Sequence, residues 1–335
     1  MILYSLRRLL TALPVLFGVT LVTFIIANML PGDPAREIAG RYATAEQIEA
    51  VRERYGFDRP LIVQYGVYLG RLVTGDLGLS FSTQRPVITE LLNYMPATLE
   101  LTIFAMILTI VIGVPLGVMT GSMKVPWLNS TILFLALTGV GLPVFWAGLV
   151  FQYIFAGQLG WLPLEGRLGW QLVPPPSITK MYTIDALLAG QWSTFIDAAR
   201  HLILPGITLA IGRIASVARI THAAMVDVMR LDYVRTARAK GVPNRIVVFG
   251  HALRNAMLPT LTTIGLQVGF LLGGTILIEI IFSWGGIGTY AWVGIFMLDM
   301  PVIMGVTLAT TLAFMLVNLL TDLLYGMFDP RISYS

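Results

Sequence analysis

The chain has no cysteine among its 335 residues, which excludes disulfides, thiolate metal sites and cysteine nucleophiles. Charge is scarce: 12% of residues are Asp, Glu, Lys or Arg, against about 25% in a soluble globular domain. The histidines His201, His222 and His251 are widely spaced and form no metal-ligand pattern. Lys124 follows Met, Lys180 follows Thr and Lys240 follows Ala. No Gly-Lys-Ser/Thr phosphate-binding loop is completed, so the chain itself is not expected to hydrolyse nucleotide, and no bound cofactor or nucleic acid is expected. What is abundant is apolar: 56% of residues, with a mean hydropathy of +0.79. That composition is an integral membrane protein's.

Arg7 and Arg8 precede an apolar run from Leu9 to about Leu30. Its length, roughly 20 residues, suits a full span rather than the shorter core of a cleaved signal peptide. Five further apolar segments lie at about 97–121, 128–156, 202–226, 255–281 and 302–327. The expected fold is therefore all-α and polytopic, with six transmembrane helices. The N-terminus, residues 122–127 (Lys124), residues 227–254 and the C-terminus (Arg331) are short or basic, and the positive-inside rule puts them in the cytoplasm. Three parts are expected: 1–30 with the first span, an extracytoplasmic subdomain over 31–96, and a helical membrane core over 97–335 with an outer loop at 157–200. In the subdomain, Thr44-Ala-Glu-Gln47 reads as a capping box opening a helix to about Tyr55. Pro60 to Leu72 is a second helix candidate. Residues 157–200, rich in Gly, Pro and Trp, read as an ordered loop with little regular structure. Pro14, Pro115, Pro143, Pro205 and Pro259 are expected inside spans, which tolerate proline.

Residues 230–254 hold six Lys/Arg between two apolar runs. Such a segment cannot cross a bilayer and must lie at its surface. Tyr233 to Lys240 contains good helix formers with small residues interspersed. Gly241 is placed to close the helix, and Pro243 to open a second one over 243–253. Arg213, near the middle of the fourth span, is too deep to reach the interface easily. A buried cation there marks either a pathway or an ion pair.

These residues resemble the coupling loop of permeases in binding-protein-dependent ATP-binding-cassette importers of the peptide/nickel type. The general pattern Glu-Ala-Ala-x3-Gly-x9-Ile-x-Leu-Pro is matched at Ala237, Gly241 and Leu253, with Arg235 at the Glu position. The stretch from Asp232 to Gly241, followed by His251-Ala-Leu-Arg-Asn-Ala256, is similar to the peptide-type branch. Further resemblances run along nearly the whole chain: Leu30-Pro-Gly-Asp-Pro34, Tyr55 to Leu61, Gly75-Asp-Leu-Gly-Leu-Ser80, Pro96-Ala-Thr-Leu-Glu100 and Glu279 to Gly288.

The resemblance implies a permease subunit moving di- or oligopeptides, glutathione-like ones included, across a bacterial inner membrane by alternating access. It implies a second similar permease, two cytoplasmic ATPase subunits carrying ATP and Mg, and an extracytoplasmic solute-binding protein. Coupling would fall on Tyr233, Arg235, Thr236, Ala237, Arg238, Ala239, Lys240 and Gly241. The translocation pathway or gate would fall on Arg213, Glu279, Trp284, Gly285 and Gly286. Nickel, opine or oligosaccharide uptake is the alternative within this class. A secondary transporter or channel would need Asp, Glu or His coupling clusters within the spans, and few candidates exist. A membrane enzyme lacks paired carboxylates or a nucleophile constellation there.

Overall fold

A computed structural model of the chain describes residues 2–29, 33–40, 42–122 and 141–328. Helix α1 (Ile2–Met29) is the first span. Three short helices follow: α2 (Pro34–Ala39), α3 (Ala45–Tyr55) and α4 (Leu61–Val73). The core is built from α5 (Val87–Ser122), α6 (Val144–Gln158), α7 (Tyr182–Leu188), α8 (Trp192–Val228), α9 (Asp232–Ala239), α10 (Leu253–Gly274), α11 (Ile276–Ile281), α12 (Ile287–Phe296) and α13 (Met300–Phe328). Extended pairing among the described residues is limited to an isolated bridge between Leu79 and Pro86.

Four of these helices are long and apolar enough to cross a membrane: Leu10–Met29 within α1, α5, α8, and Met300–Thr321 within α13. The expected fifth span, 255–281, is divided between α10 and α11. Of the expected third span, residues 128–140 lie outside the described residues, as do Lys124, Arg331 and the Leu30-Pro-Gly part of the first motif. Its remainder is α6, and Pro143 caps the start of that helix instead of lying inside one. Proline lacks the N–H that a helix interior needs, so a fresh N-terminus is its natural place.

Helix α8 is the central element. It packs against α5, α6, α7, α10 and α11, while α13 lies between α10 and α1. The α5–α8 seam is set by three glycines four residues apart. A Cβ on Gly113 would stand 3.1 Å from the Ile214 carbonyl, on Gly117 2.5 Å from Thr221 Cβ, and on Gly121 2.6 Å from Met225 Cβ. In lipid, where helix association gains little from hydrophobicity, such close backbone approach is what holds spans together. Just before Pro115, α5 widens into a π turn, Thr109–Gly113. The wider turn accommodates a ring that would otherwise clash with the preceding turn.

The 31–96 region follows local chemistry. Thr44 Oγ1 accepts the Gln47 N–H and the Gln47 side chain accepts the Thr44 N–H, so the capping box opens α3; Gly56, at φ +71°, closes it. Asp33 caps α2 and also pairs with Arg52 at 2.6 Å. Tyr65 of α4 meets Thr20 of α1, hydroxyl to hydroxyl, at 3.0 Å.

Four elements depart from sequence expectation. Helix α8 begins at Trp192, ten residues before the expected span, and α7 forms within the loop expected to be irregular. Helix α12 was not anticipated. The second helix expected over 243–253 does open at Pro243, as the helical turn Asn244–Ile246 and the π segment Val247–Ala252, but it runs unbroken into α10 instead of standing alone.

Replacing Gly117 by Leu is expected to destabilise the protein by about 1–3 kcal/mol or more through overpacking. Gly18→Leu, where a Cβ meets nothing within 4 Å, should be neutral. Thermal denaturation of the detergent-solubilised protein compares the two.

Candidate functional site

Two regions at opposite ends of α8 concentrate the chemistry. The first is α9. Its one buried residue is Val234, fully enclosed, and the helix packs against the Val247–Ala252 segment. Asn255 Nδ2 donates to the Tyr233 hydroxyl at 2.7 Å, clipping α9 to the start of α10. Gly241, at φ +74°, ends the helix, its N–H bonded to the Arg238 carbonyl and the Val242 N–H to that of Ala237. Thr236 Oγ1 donates back to the Asp232 carbonyl. Arg235, Arg238, Ala239 and Lys240 are exposed, and Ala237 is half-buried. Arg235 stands 3.8 Å from Asp232, both in solvent, an ion pair that contributes little to stability. Helix α9 thus presents three cations and small side chains outward, held by the apolar anchor Val234, the Tyr233–Asn255 hydrogen bond and a 4.0 Å contact of Arg238 Nη2 with Met229 Sδ.

The second region is a polar knot at the other end. Glu279 is wholly buried. Thr98 Oγ1 donates to its Oε1 at 2.6 Å, and the Thr289 N–H donates to Oε2 at 3.0 Å. The same Thr98 oxygen accepts the Ile287 N–H. Trp284, also buried, donates its indole N–H to the Ala97 carbonyl at 2.8 Å. Gly285 has φ +69°, and a Cβ on Gly286 would fall 2.3 Å from Thr98 Oγ1 and 2.7 Å from Glu279 Oε2. Both glycines are required, one by conformation and the other by space. The Pro96–Glu100 and Glu279–Gly288 motifs are therefore one structure.

The 157–200 loop is stitched to this knot. Arg167 Nη2 is 2.7 Å from Glu100 Oε2, with both side chains largely buried, and its guanidinium lies 3.9 Å over the Tyr182 ring. Glu100 Oε1 accepts both the N–H and the hydroxyl of Thr183. The Gly166 N–H donates to the Phe282 carbonyl. Asp185 accepts hydrogen bonds from the N–H groups of Ile178, Thr179 and Lys180 and from the Thr179 hydroxyl. Burial alone would raise its pKa, but these donors more than offset that and hold it below the ordinary 3.8.

Arg213 stands apart from both regions. Its Nη1 donates to Gln267 Oε1 at 3.0 Å, Gln267 Nε2 donates to Ser216 Oγ, and the guanidinium lies 5.7 Å from the Phe270 ring centre. Among the described residues, no carboxylate pairs with it.

Comparison with known proteins bears on this arrangement. A profile for the inner-membrane component of binding-protein-dependent transport systems matches residues 113–334, and its N-terminal companion matches 1–102. The chain belongs to this family. The permease is 46% identical over 334 residues to the dipeptide transport system permease protein of Alkalihalophilus pseudofirmus, covering all of both chains. It is 44% identical to a probable D,D-dipeptide transport system permease protein of Escherichia coli, over 95% of this chain and 94% of that one. A glutathione transport system permease protein of Escherichia coli is 40% identical, with 99% of each covered.

The structure thus brings Glu279, Trp284, Gly285 and Gly286 together in one knot and leaves Arg213 separate. The permease uses residues at the knot that sequence reasoning passed over: Thr98, Glu100, Arg167 and Thr183. Thr98 and Glu100 lay inside a quoted motif, but nothing in the sequence paired them with positions 67 to 189 residues away. Asp299 was missed as well. Wholly buried, it accepts from the Ser80 hydroxyl, the Ser82 N–H and the Ser82 hydroxyl, explaining why the Gly75–Ser80 motif ends in serine.

Two outcomes are expected of the loop. Arg167→Ala should destabilise it by about 3–5 kcal/mol, because Glu100 is left buried without its cation; limited proteolysis within 157–200 reads this. Asp185, with its depressed pKa, contributes stability that is complete above 3.8 and is lost as pH falls through the lower folded value. Protection factors of the Thr179 and Lys180 amides, taken relative to intrinsic exchange, should therefore fall on acidification, and Asp185→Asn should abolish that fall.

Proposed function

We propose that this permease carries di- or oligopeptides into the cell as one of two similar transmembrane subunits. Two cytoplasmic ATPase subunits holding ATP and Mg would drive it, and an extracytoplasmic solute-binding protein would deliver the cargo. The orientation proposed has both termini and α9 in the cytoplasm and the 31–96 and 157–200 segments outside, around six spans. Relatives whose names specify dipeptides or glutathione, matched over nearly the full chain, support the substrate class.

The observation that carries the coupling role is the mounting of α9. A short helix with an exposed basic face, anchored among the described residues by Val234, the Tyr233–Asn255 bond and a contact of Arg238 with Met229 Sδ, leads into α10 through the Val247–Ala252 segment without a break. A push on α9 therefore moves α10 directly. Closing of the ATPases on ATP would tilt α10 and α8, opening the path outward, and hydrolysis would return them. Arg235, Arg238 and Lys240 would pair with acidic groups of an ATPase, while Thr236, Ala237, Ala239 and Gly241 allow close approach.

At the other end, the Glu279 knot serves as the gate's frame: Gly285 and Gly286 shape the turn, and Trp284 locks it to α5. Arg213, lacking a carboxylate partner among the described residues, would offer its charge to a peptide carboxylate as cargo passes.

Replacing Ala237 or Gly241 by Trp should uncouple the reconstituted complex, so that ATP is hydrolysed with transport reduced tenfold or more, on the order of 1.4 kcal/mol of lost coupling. Transport per ATP measured in proteoliposomes tests this, and normal coupling in both variants would reject the role of α9. Arg213→Gln should lower uptake of peptides with a free C-terminal carboxylate relative to their amides; unchanged selectivity in an assembled complex would place Arg213 outside the pathway.

A further inference from the structure

A cavity of about 400 Å³ lies between the loop-end of α1, the start of α13 and the α3–α4 region, within the size range of small-molecule sites. Its walls include Phe24, Tyr68, Leu77 and Met304. Its charged lining is Arg54, Arg59, Arg71 and one carboxylate, Asp76. Asp76 Oδ1 already accepts the Gly78 N–H at 2.8 Å. Among the described residues, the side chains of Arg54, Arg59 and Arg71 make no hydrogen bond or ion pair, and all three are exposed. Arg54 and Arg71 stand in the last turns of α3 and α4, where a helix end favours a cation. That explains each singly. It does not explain why they converge, with Arg59 from the intervening turn, on a single cavity with both polar and apolar walls.

Depth identifies the occupant. The cavity is walled by the ends of two helices able to cross a membrane, α1 at Phe24, Ala27 and Asn28, and α13 at Met300, Pro301 and Met304. Helix α4 lies along α1, with Tyr65 bonded to Thr20 and within 3.4 Å of the Phe17 carbonyl. Phe17 is twelve residues before the end of α1, about 18 Å along its axis. Helix α4 therefore reaches to hydrocarbon depth, and its Leu61, Ile62 and Val67 are exposed there. The cavity opens where headgroups meet acyl chains.

We propose that this cavity binds an anionic phospholipid of the leaflet at this end, the outer one in the orientation proposed above. The phosphate would sit among Arg54, Arg59 and Arg71, which are suited to forked phosphate contacts. An acyl chain would lie against Phe24, Tyr68 and Met304. The lipid would fasten the 31–96 region to the first and last spans.

The test uses the assembled transporter, delipidated and exchanged into phosphatidylcholine nanodiscs with or without phosphatidylglycerol, with retained lipid counted by native mass spectrometry. The wild type should retain phosphatidylglycerol over phosphatidylcholine by about tenfold or more, as three cations at a headgroup imply. R54Q, R59Q and R71Q should each reduce that preference, and the triple variant should remove it. The R54K/R59K/R71K variant, which keeps the charge, should retain most of it and shows that the region still folds. Equal preference in the wild type and the three single glutamine variants would overturn the proposal. So would displacement of the lipid by free glycerol phosphate at equal concentration, which would mark a site for a soluble anion. Loss of solute-binding-protein affinity with lipid preference intact would assign the arginines to that protein instead.

Discussion

A carboxylate with no access to water must be hydrogen-bonded, and the loop end of this permease is organised around that demand at Glu279. Thr98 and the Thr289 N–H supply the donors. To do so they must bring the first turns of α5, the end of α11 and the start of α12 within a few ångströms of one another. Gly286 and Gly288 then leave no room for a side chain beside the carboxylate. Once these segments are pinned, Trp284 reaches Ala97, the Phe282 carbonyl is in place for Gly166, and Arg167 can bury its charge against Glu100. The 157–200 loop has so little regular structure of its own that these contacts give it its shape.

The two ends are joined by long helices. Helix α8 alone has 37 residues, about 55 Å at 1.5 Å per residue. Its seam with α5 is a glycine groove that admits backbone against backbone. Helix α10 starts at the segment supporting α9 and leads into α11, where Glu279 sits. Along this path the π segments Thr109–Gly113 and Val247–Ala252 widen the backbone, trading hydrogen-bond regularity for adaptability, and Pro205 in α8 and Pro259 in α10 interrupt their hydrogen-bond ladders. Long helices with soft points near each seam suit the coupling role proposed for this subunit.

Some of this could be read locally. The capping box at Thr44, the left-handed closure at Gly241 and the termination of α3 at Gly56 depend on residues within a few positions, and each forms as the chain's chemistry requires. Apolar length identified α1, α5, α8 and α13 as spans. The errors share one cause: hydropathy finds where a helix enters lipid and says nothing of where it stops. Residues 192–201 are too polar to look like a span, yet they continue α8 because its backbone is already nucleated. Residues 243–253 look like a separate surface helix, yet join α10 because nothing breaks the chain between them. Helix α12 escaped notice because its packing against α11 and α13, not its composition, gives it a place.

By itself the sequence determined that this is a polytopic membrane protein, that a basic helix-forming segment lies between two apolar runs, and that several family motifs follow one another in order along the chain. These follow from composition, apolar length and local backbone preference, all short-range properties. Only the tertiary structure decided that the motifs at 75–80, 96–100 and 279–288 are contacts, through Ser80–Asp299 and Thr98–Glu279, and that Arg54, Arg59 and Arg71 share one cavity. Those pairings join residues up to 219 positions apart. They depend on which helices pack side by side, and no local preference encodes that.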